Sequence, residues 1–233
     1  VLGEGPHAWA GAVVLDVRSA AHLDPGIPAE AAAALPVSGV TALQALRMAK
    51  VRTGSRLVVV GASGGVGHLA VQLGVHVGAD VTAVCSAAHH DRMRGLGATA
   101  ALDYRDVHWT DRGPWDAVLD LAGERPMGAC LASLSHDGVY VSSAGTNGGP
   151  VLGPLPRLLG VAVRGRFDRR ATVLAASPRT EDLAIVAEHV RTGVIVPWIS
   201  RVVAPEDVHE ALDAHPGGKQ VVSFSGARSP HAG

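Results

Sequence analysis

Gly61, Gly64 and Gly67 recur within Leu57-Val-Val-Val-Gly61-Ala-Ser-Gly64-Gly65-Val66-Gly67, between four apolar residues and the run His68-Leu-Ala-Val-Gln-Leu-Gly74. That pattern suits one kind of chemistry, the binding of a pyrophosphate. One glycine must take backbone angles closed to other residues, and another must let phosphate approach the main chain without a Cβ in the way. A third lets a helix pack closely on the preceding strand. The phosphates then lie at the helix N-terminus, where free N–H groups and the helix dipole favour negative charge. The spacing is GxxGxxG rather than GxGxxG, but its context of strand, turn and helix is the one a dinucleotide site requires.

The nucleotide is read from the next strand, Val81-Thr-Ala-Val-Cys85. Units that take NAD place Asp or Glu at the end of this strand to bind the ribose 2′-hydroxyl. Here the strand runs into Ser86-Ala-Ala-His89-His90, without a carboxylate. Nothing there repels a 2′-phosphate, and Ser86, His89 and Arg92 offer donors. The expected cofactor is NADPH.

Other chemistries compete for the same residues. Gly61-Ala-Ser63-Gly-Gly65 also fits the nucleophile elbow of α/β-hydrolases, with Asp120 and then His189 or His209 downstream. That elbow needs strands and an oxyanion loop upstream, and the sequence shows neither. Leu57 to Ala79 carries no Asp, Glu, Lys or Arg and is long enough to cross a bilayer. Its six glycines, two histidines and Gln72 fit a strand, turn and helix better. Twelve histidines invite a metal, yet HExxH, CxxC and compact Cys/His clusters are all absent. His68, His76 and His136 read as surface or packing residues.

These residues need an alternating framework to hold them. Strands are expected at Gly11–Asp16, Leu57–Val60, Val81–Cys85, Ala100–Asp103, Ala117–Asp120, Gly138–Ser142, Ala171–Ala175 and Gln220–Phe224. Helices are expected at Ala29–Ala34, Thr41–Lys50, from Gly67 onward with an apolar stripe of Val66, Leu69, Ala70, Leu73 and Val77, at His89–Leu96 and at Met127–Leu134. Two more follow, one capped by Ser177 with Pro178 first and stopped at Gly193, the other over Pro205–Ala214. Strands separated by helices imply βαβ crossovers and a doubly wound parallel sheet, an α/β fold.

Bulk composition narrows the classes. The 233 residues are 47% hydrophobic and 18% charged, with a net charge of −1. That describes a globular protein without an evident nucleic-acid or membrane partner. The basic stretch Arg164-Gly-Arg-Phe-Asp-Arg-Arg170 reads as a solvated loop. Cys85 and Cys130 lie in apolar runs and are expected to be buried, reduced thiols of a cytoplasmic protein. No signal-peptide or lipidation motif is visible.

Several segments taken together resemble a family. Leu35-Pro-Val-Ser-Gly-Val-Thr41-Ala-Leu-Gln-Ala-Leu, the glycine turn, Gly95-Leu-Gly-Ala, Leu102-Asp-Tyr104 and Gly218-Lys-Gln-Val-Val are similar to the medium-chain dehydrogenase/reductase superfamily. Within it the similarity is to the zinc-independent quinone oxidoreductases, the zeta-crystallin-like branch. The resemblance implies that Thr41 lies near the nicotinamide and that Gly64, Gly65 and Val66 cradle the pyrophosphate. It implies that Ser86 and Tyr104 hold the 2′-phosphate end, and that Gly145 and Thr146 border the nicotinamide ribose. His89 stands where relatives carry a lysine, and Val37 where zinc-dependent members carry a cysteine ligand. The implied activity is NADPH-dependent hydride transfer to a quinone or α,β-unsaturated carbonyl by a homodimer. A non-catalytic NADPH-binding module is the second reading. The implied organisation is residues 1–36 as the end of a GroES-like catalytic domain and 37–178 as a Rossmann domain. Residues 179–225 form a helix and the return to the first domain, within which Val194–Phe224 would expose apolar surface unless a partner covers it, and 226–233 form a disordered tail.

Overall fold

The structure, a computed structural model, describes residues 1–5, 13–142, 160, 170–213 and 216–224. The expected site residues Gly145 and Thr146, most of the basic loop and the tail lie outside the described residues. The chain divides into two compact units, residues 41–176 and residues 1–40 with 177–233.

Along the chain come β1 (Leu2–Gly3), β2 (Ala20–Ala21), α1 (Ala29–Ala33) and α2 (Ser38–Met48). They are followed by β3 (Arg56–Val60), α3 (Gly67–Val77), β4 (Asp80–Cys85), α4 (His90–Gly95), β5 (Ala100–Asp103) and β6 (Trp115–Asp120). Next are α5 (Met127–Ala132), β7 (Leu134–Ser142) and β8 (Ala171–Val173). The described elements end with α6 (Thr180–Arg191), β9 (Ile199–Val203), α7 (Val208–Asp213) and β10 (Lys219–Val222).

In the unit of residues 41–176, six parallel strands form one sheet in the order β5-β4-β3-β6-β7-β8. The order reverses between β3 and β6, which defines a doubly wound fold with its ligand crevice at the carboxyl ends of those strands. Leu57 to Val60 are at most 3% exposed, as a central strand covered on both faces demands. Each such side chain contributes about 1.5–3 kcal/mol by leaving water. Helix α3 follows β3 closely, because a Cβ on Gly74 would stand 2.7 Å from Leu57 Cδ2. The expected one-sided stripe on α3 is too narrow, since every residue from Gly67 to Gly74 is buried while Val77 is exposed. Beneath β6, the indole of Trp115 donates to Trp109 O at 3.1 Å, and Arg56 stacks over the Trp115 ring at 4.9 Å.

In the other unit, β1 pairs antiparallel with β2, and β9 pairs parallel with β10. Leu183 and Val186 form the buried face of α6, and Gly39 lets the chain approach Val186, whose Cβ would be 3.4 Å from an added Cβ. A cavity of about 540 Å³ lies in this unit, with Leu2, Leu15, Val37 and Lys219 among its walls. Burial there pushes the Lys219 ammonium below its ordinary value.

Three expectations are corrected. Val13 to Asp16 form no strand; Val13 and Val14 are exposed, and the Asp16 carboxylate accepts the Arg18 amide at 2.9 Å, turning the chain into a 3₁₀ turn. Helix α6 starts at Thr180, with Arg179 rather than Ser177 at its cap, and the Thr180 hydroxyl donates to Val17 O at 3.0 Å. The segment from Pro205 is a 3₁₀ turn, Pro205–Asp207, followed by the short α7.

Candidate cofactor site

The glycine turn closes as its sequence requires. Gly61 has φ +82°, open to glycine and strained for other residues. The amides of Gly61 and Ala62 both donate to Val84 O at 3.0 Å, fastening the turn to the end of β4. A Cβ on Gly67 would fall on Gly61 O, and 2.7 Å from Ala62 Cα, so the helix starts in contact with the backbone of its own loop. The first helical bonds are His68 N to Gly64 O at 3.2 Å and Ala70 N to Val66 O at 3.0 Å. The amides of Gly65, Val66 and Gly67 make no hydrogen bond to the described residues. Three uncommitted N–H groups at a helix N-terminus form an anion cradle.

His68, expected as surface or packing, is fully buried under this loop with Nδ1 2.8 Å from Gly64 O. Its contribution is to hold the loop down. The type of residue gives no sign of this, because a helical position following a glycine turn does not reveal what encloses it.

The ends of β4 and β5 form a second part of the site. Asp103 is the last residue of β5 and is buried, at 7% exposed. Its Oδ2 accepts the Ala87 amide at 2.8 Å and its Oδ1 accepts the Arg105 amide at 2.9 Å. These two amides, with smaller help from the nearby Arg105 and His90 side chains, hold its carboxyl below the ordinary aspartate value. One carboxylate thus joins the loop of Ser86 and His89 to the loop of Tyr104 and Arg105. Ser86 Oγ has no hydrogen-bond partner among the described residues, and His89 is half-buried at the end of the 3₁₀ turn Ala87–His89. Tyr104 is half-buried, and its carbonyl accepts Arg125 Nη2 at 3.2 Å. Arg105, whose amide shares the Asp103 carboxylate, is not among the residues expected from the sequence.

The third part is the turn after β6. Asp120 is 1% exposed; its Oδ1 accepts the amides of Ala122 and Gly123 at 3.2 and 2.7 Å, and its Oδ2 accepts the Tyr140 hydroxyl at 2.7 Å. This turn faces the glycine loop, for a Cβ on Gly61 would lie 3.5 Å from Leu121 Cβ. Because all six strands are parallel, the three parts share the carboxyl edge of one sheet. Thr41 is buried in α2 at 5% exposed, and its side chain is committed by further contacts. The hydrolase reading is not favoured, because Asp120 is used to fix its own turn.

The doubly wound parallel sheet with a glycine turn between β3 and α3 makes this a Rossmann-type α/β unit. Residues 96–221 match the family described as zinc-binding dehydrogenase, and the chain belongs to that family, within the quinone oxidoreductase branch of the medium-chain dehydrogenase/reductase superfamily. It is 37% identical over 126 residues to a chloroplast envelope quinone oxidoreductase homolog of Arabidopsis thaliana, covering 49% of this chain and 38% of that protein. The quinone oxidoreductase of Coxiella burnetii matches with a TM-score of 0.71 and 31% identity, over 82% of this chain and 59% of the other. The quinone oxidoreductase of Thermus thermophilus, solved also with NADPH, matches with a TM-score of 0.64 and 29% identity, over 82% and 64%. The chain therefore spans only part of these relatives, from 38% to 64% of their length.

The family description implies zinc, and the described residues gather no ligand set for it. Zinc takes four nitrogen, sulfur or oxygen ligands in structural sites and three in catalytic ones. Among the described residues no group of three or more His, Cys, Asp or Glu side chains could hold a metal ion. Val37, where zinc-dependent members are expected to carry a cysteine, is an exposed hydrocarbon side chain. No helix among the described residues is long and apolar enough to cross a membrane.

Proposed function

We propose that this chain binds NADPH and serves hydride transfer to a quinone or α,β-unsaturated carbonyl without zinc. The observation that carries the reading is the cradle of Gly65, Val66 and Gly67 amides on a loop that cannot accept a Cβ at Gly67. In this assignment Gly61, Gly64, Gly65, Val66 and Gly67 receive the pyrophosphate. Ser86, His89 and Tyr104 take the 2′-phosphate end, where no carboxylate at the end of β4 repels it. Thr41, Gly145 and Thr146 are assigned to the nicotinamide end from the family resemblance. The nicotinamide supplies the hydride when bound, while the protein orients the coenzyme and excludes water around it.

Homodimer formation and a cytoplasmic location belong to the same proposal. Strand β8 ends the sheet with one side unpaired among the described residues, an edge at which two copies can meet. Steady-state loss of NADPH absorbance with a quinone series and an enone series tests turnover. Saturable oxidation of NADPH supports an enzyme. Tight NADPH binding without oxidation supports a coenzyme-binding module instead.

A further inference from the structure

We infer that Arg105 is the residue that selects a 2′-phosphorylated coenzyme, taking the cationic role that His89 leaves open. The inference rests on the coenzyme reading above and adds a residue to it.

Four observations converge on Arg105. Its backbone is fixed, because its amide donates at 2.9 Å to the same Asp103 carboxylate that accepts Ala87 N beside Ser86. Its side chain is folded back over Tyr104, with Nη2 3.3 Å from the phenol oxygen and Cζ 5.2 Å from the ring centroid. The exposed guanidinium is therefore held over its neighbour Tyr104, on the loop that the Asp103 carboxylate ties to the loop of Ser86. Nor is it drawn into an ion pair among the described residues. Arg18, Arg94 and Arg191 are paired with Asp16, Asp91 and Glu188 at 2.6, 3.1 and 2.6 Å. Arg105 has no carboxylate within ion-pair distance among the described residues; its pKa is raised first by the Tyr104 hydroxyl and then by the nearby charges of Asp103 and Asp106. Both oxygens of Asp103 are turned to backbone amides, so its charge strengthens the frame without capturing the guanidinium.

The chemistry follows from these positions. A guanidinium presents a planar fork that matches two phosphate oxygens, and such charge-assisted pairs are among the strongest polar contacts. The ribose 2′-hydroxyl of an unphosphorylated coenzyme offers no charge for that fork. Tyr104 Oη beside it, and Ser86 Oγ, which has no partner among the described residues and sits on the loop joined through Asp103, supply neutral donors. Arg105 then contributes discrimination between coenzymes, and the glycine cradle contributes affinity common to both.

Calorimetric titration of the full 233-residue chain with NADPH and with NADH tests this. Arg105→Ala is expected to weaken NADPH about tenfold to a hundredfold, the range of a hydrogen bond to a charged group, and to leave NADH within about twofold. Arg105→Lys should keep part of the preference, and His89→Lys added to Arg105→Ala should restore it. Equal loss toward both coenzymes, or an unchanged NADPH to NADH ratio in Arg105→Ala, overturns the assignment while leaving the coenzyme reading intact. Failure of the unsubstituted chain to bind either coenzyme removes both.

Discussion

The amide of Ala87 donates to the carboxylate of Asp103 at 2.8 Å, across the carboxyl ends of β4 and β5. Through this bond the loop carrying Ser86 and His89 is registered against the loop carrying Tyr104 and Arg105. The carboxyl titrates lower in the folded chain than the ordinary 3.8, because two amides stabilise its ionised form. That contribution to stability is complete above the unfolded value and is lost as pH falls through the lower, folded value. Asp103→Asn should therefore lower the urea midpoint at neutral pH, and the gap to the unsubstituted chain should narrow in acid below the ordinary value. A gap that is constant across that range contradicts the role given to the charge.

Gly67 sets the geometry of the phosphate loop. An added methyl group would meet Gly61 O and the backbone of Ala62, atoms that cannot swing aside as a flexible side chain does. Gly67→Ala is expected to cost about 1–3 kcal/mol by overpacking and to abolish measurable coenzyme binding. Urea denaturation and a coenzyme titration of the same variant read the two effects separately.

Tyr140 secures the turn after β6. Removing its hydroxyl takes away the group that donates to buried Asp120 Oδ2 at 2.7 Å. Tyr140→Phe should destabilise the chain by about 1–3 kcal/mol, the cost of losing a buried polar partner. Chemical denaturation checks this, and a change under about 0.5 kcal/mol contradicts it.

Cys85 carries no reactive thiolate. It is 3% exposed, and burial, reinforced by the Asp103 charge, pushes its thiol up to about 11. At pH 8 only about one thiol in a thousand is ionised, so a disulfide reagent should leave Cys85 unmodified until the chain unfolds. Mass mapping of modified peptides, native against denatured, reads this directly.

Much of the sheet is legible from residues alone, because central parallel strands are continuous apolar runs. The strand expected over Ala100 to Asp103 is β5 with the same bounds, and glycines mark the turn at Gly61. Strand β7 begins at Leu134, four residues before the expected Gly138. Ser135-His-Asp-Gly138 looks like a turn, but Ser135 Oγ donates to Asp116 at 2.8 Å and the register shifts between Trp115 and Ala117. The expected N-terminal strand fails where it is described because Val13 and Val14 are both exposed and have no core face to cover. In the site, glycine positions are legible because backbone angles and close approach leave a signature in residue type. Arg105 is not, because its meaning depends on Asp103 and Tyr104 fixing where an ordinary exposed arginine points. Neither His68 nor Asp120 announces a positioning role, since burial and partners come from neighbours distant in sequence.

In the function proposed above, the glycine loop and the β4–β5 ends form a working NADPH site. The most direct test is calorimetric titration of the unsubstituted chain with NADPH, repeated with NADH. Saturable binding of one equivalent per chain, tighter for NADPH, is the predicted result. Absence of binding for both coenzymes would contradict the account, leaving the fold and the family without the function proposed for them.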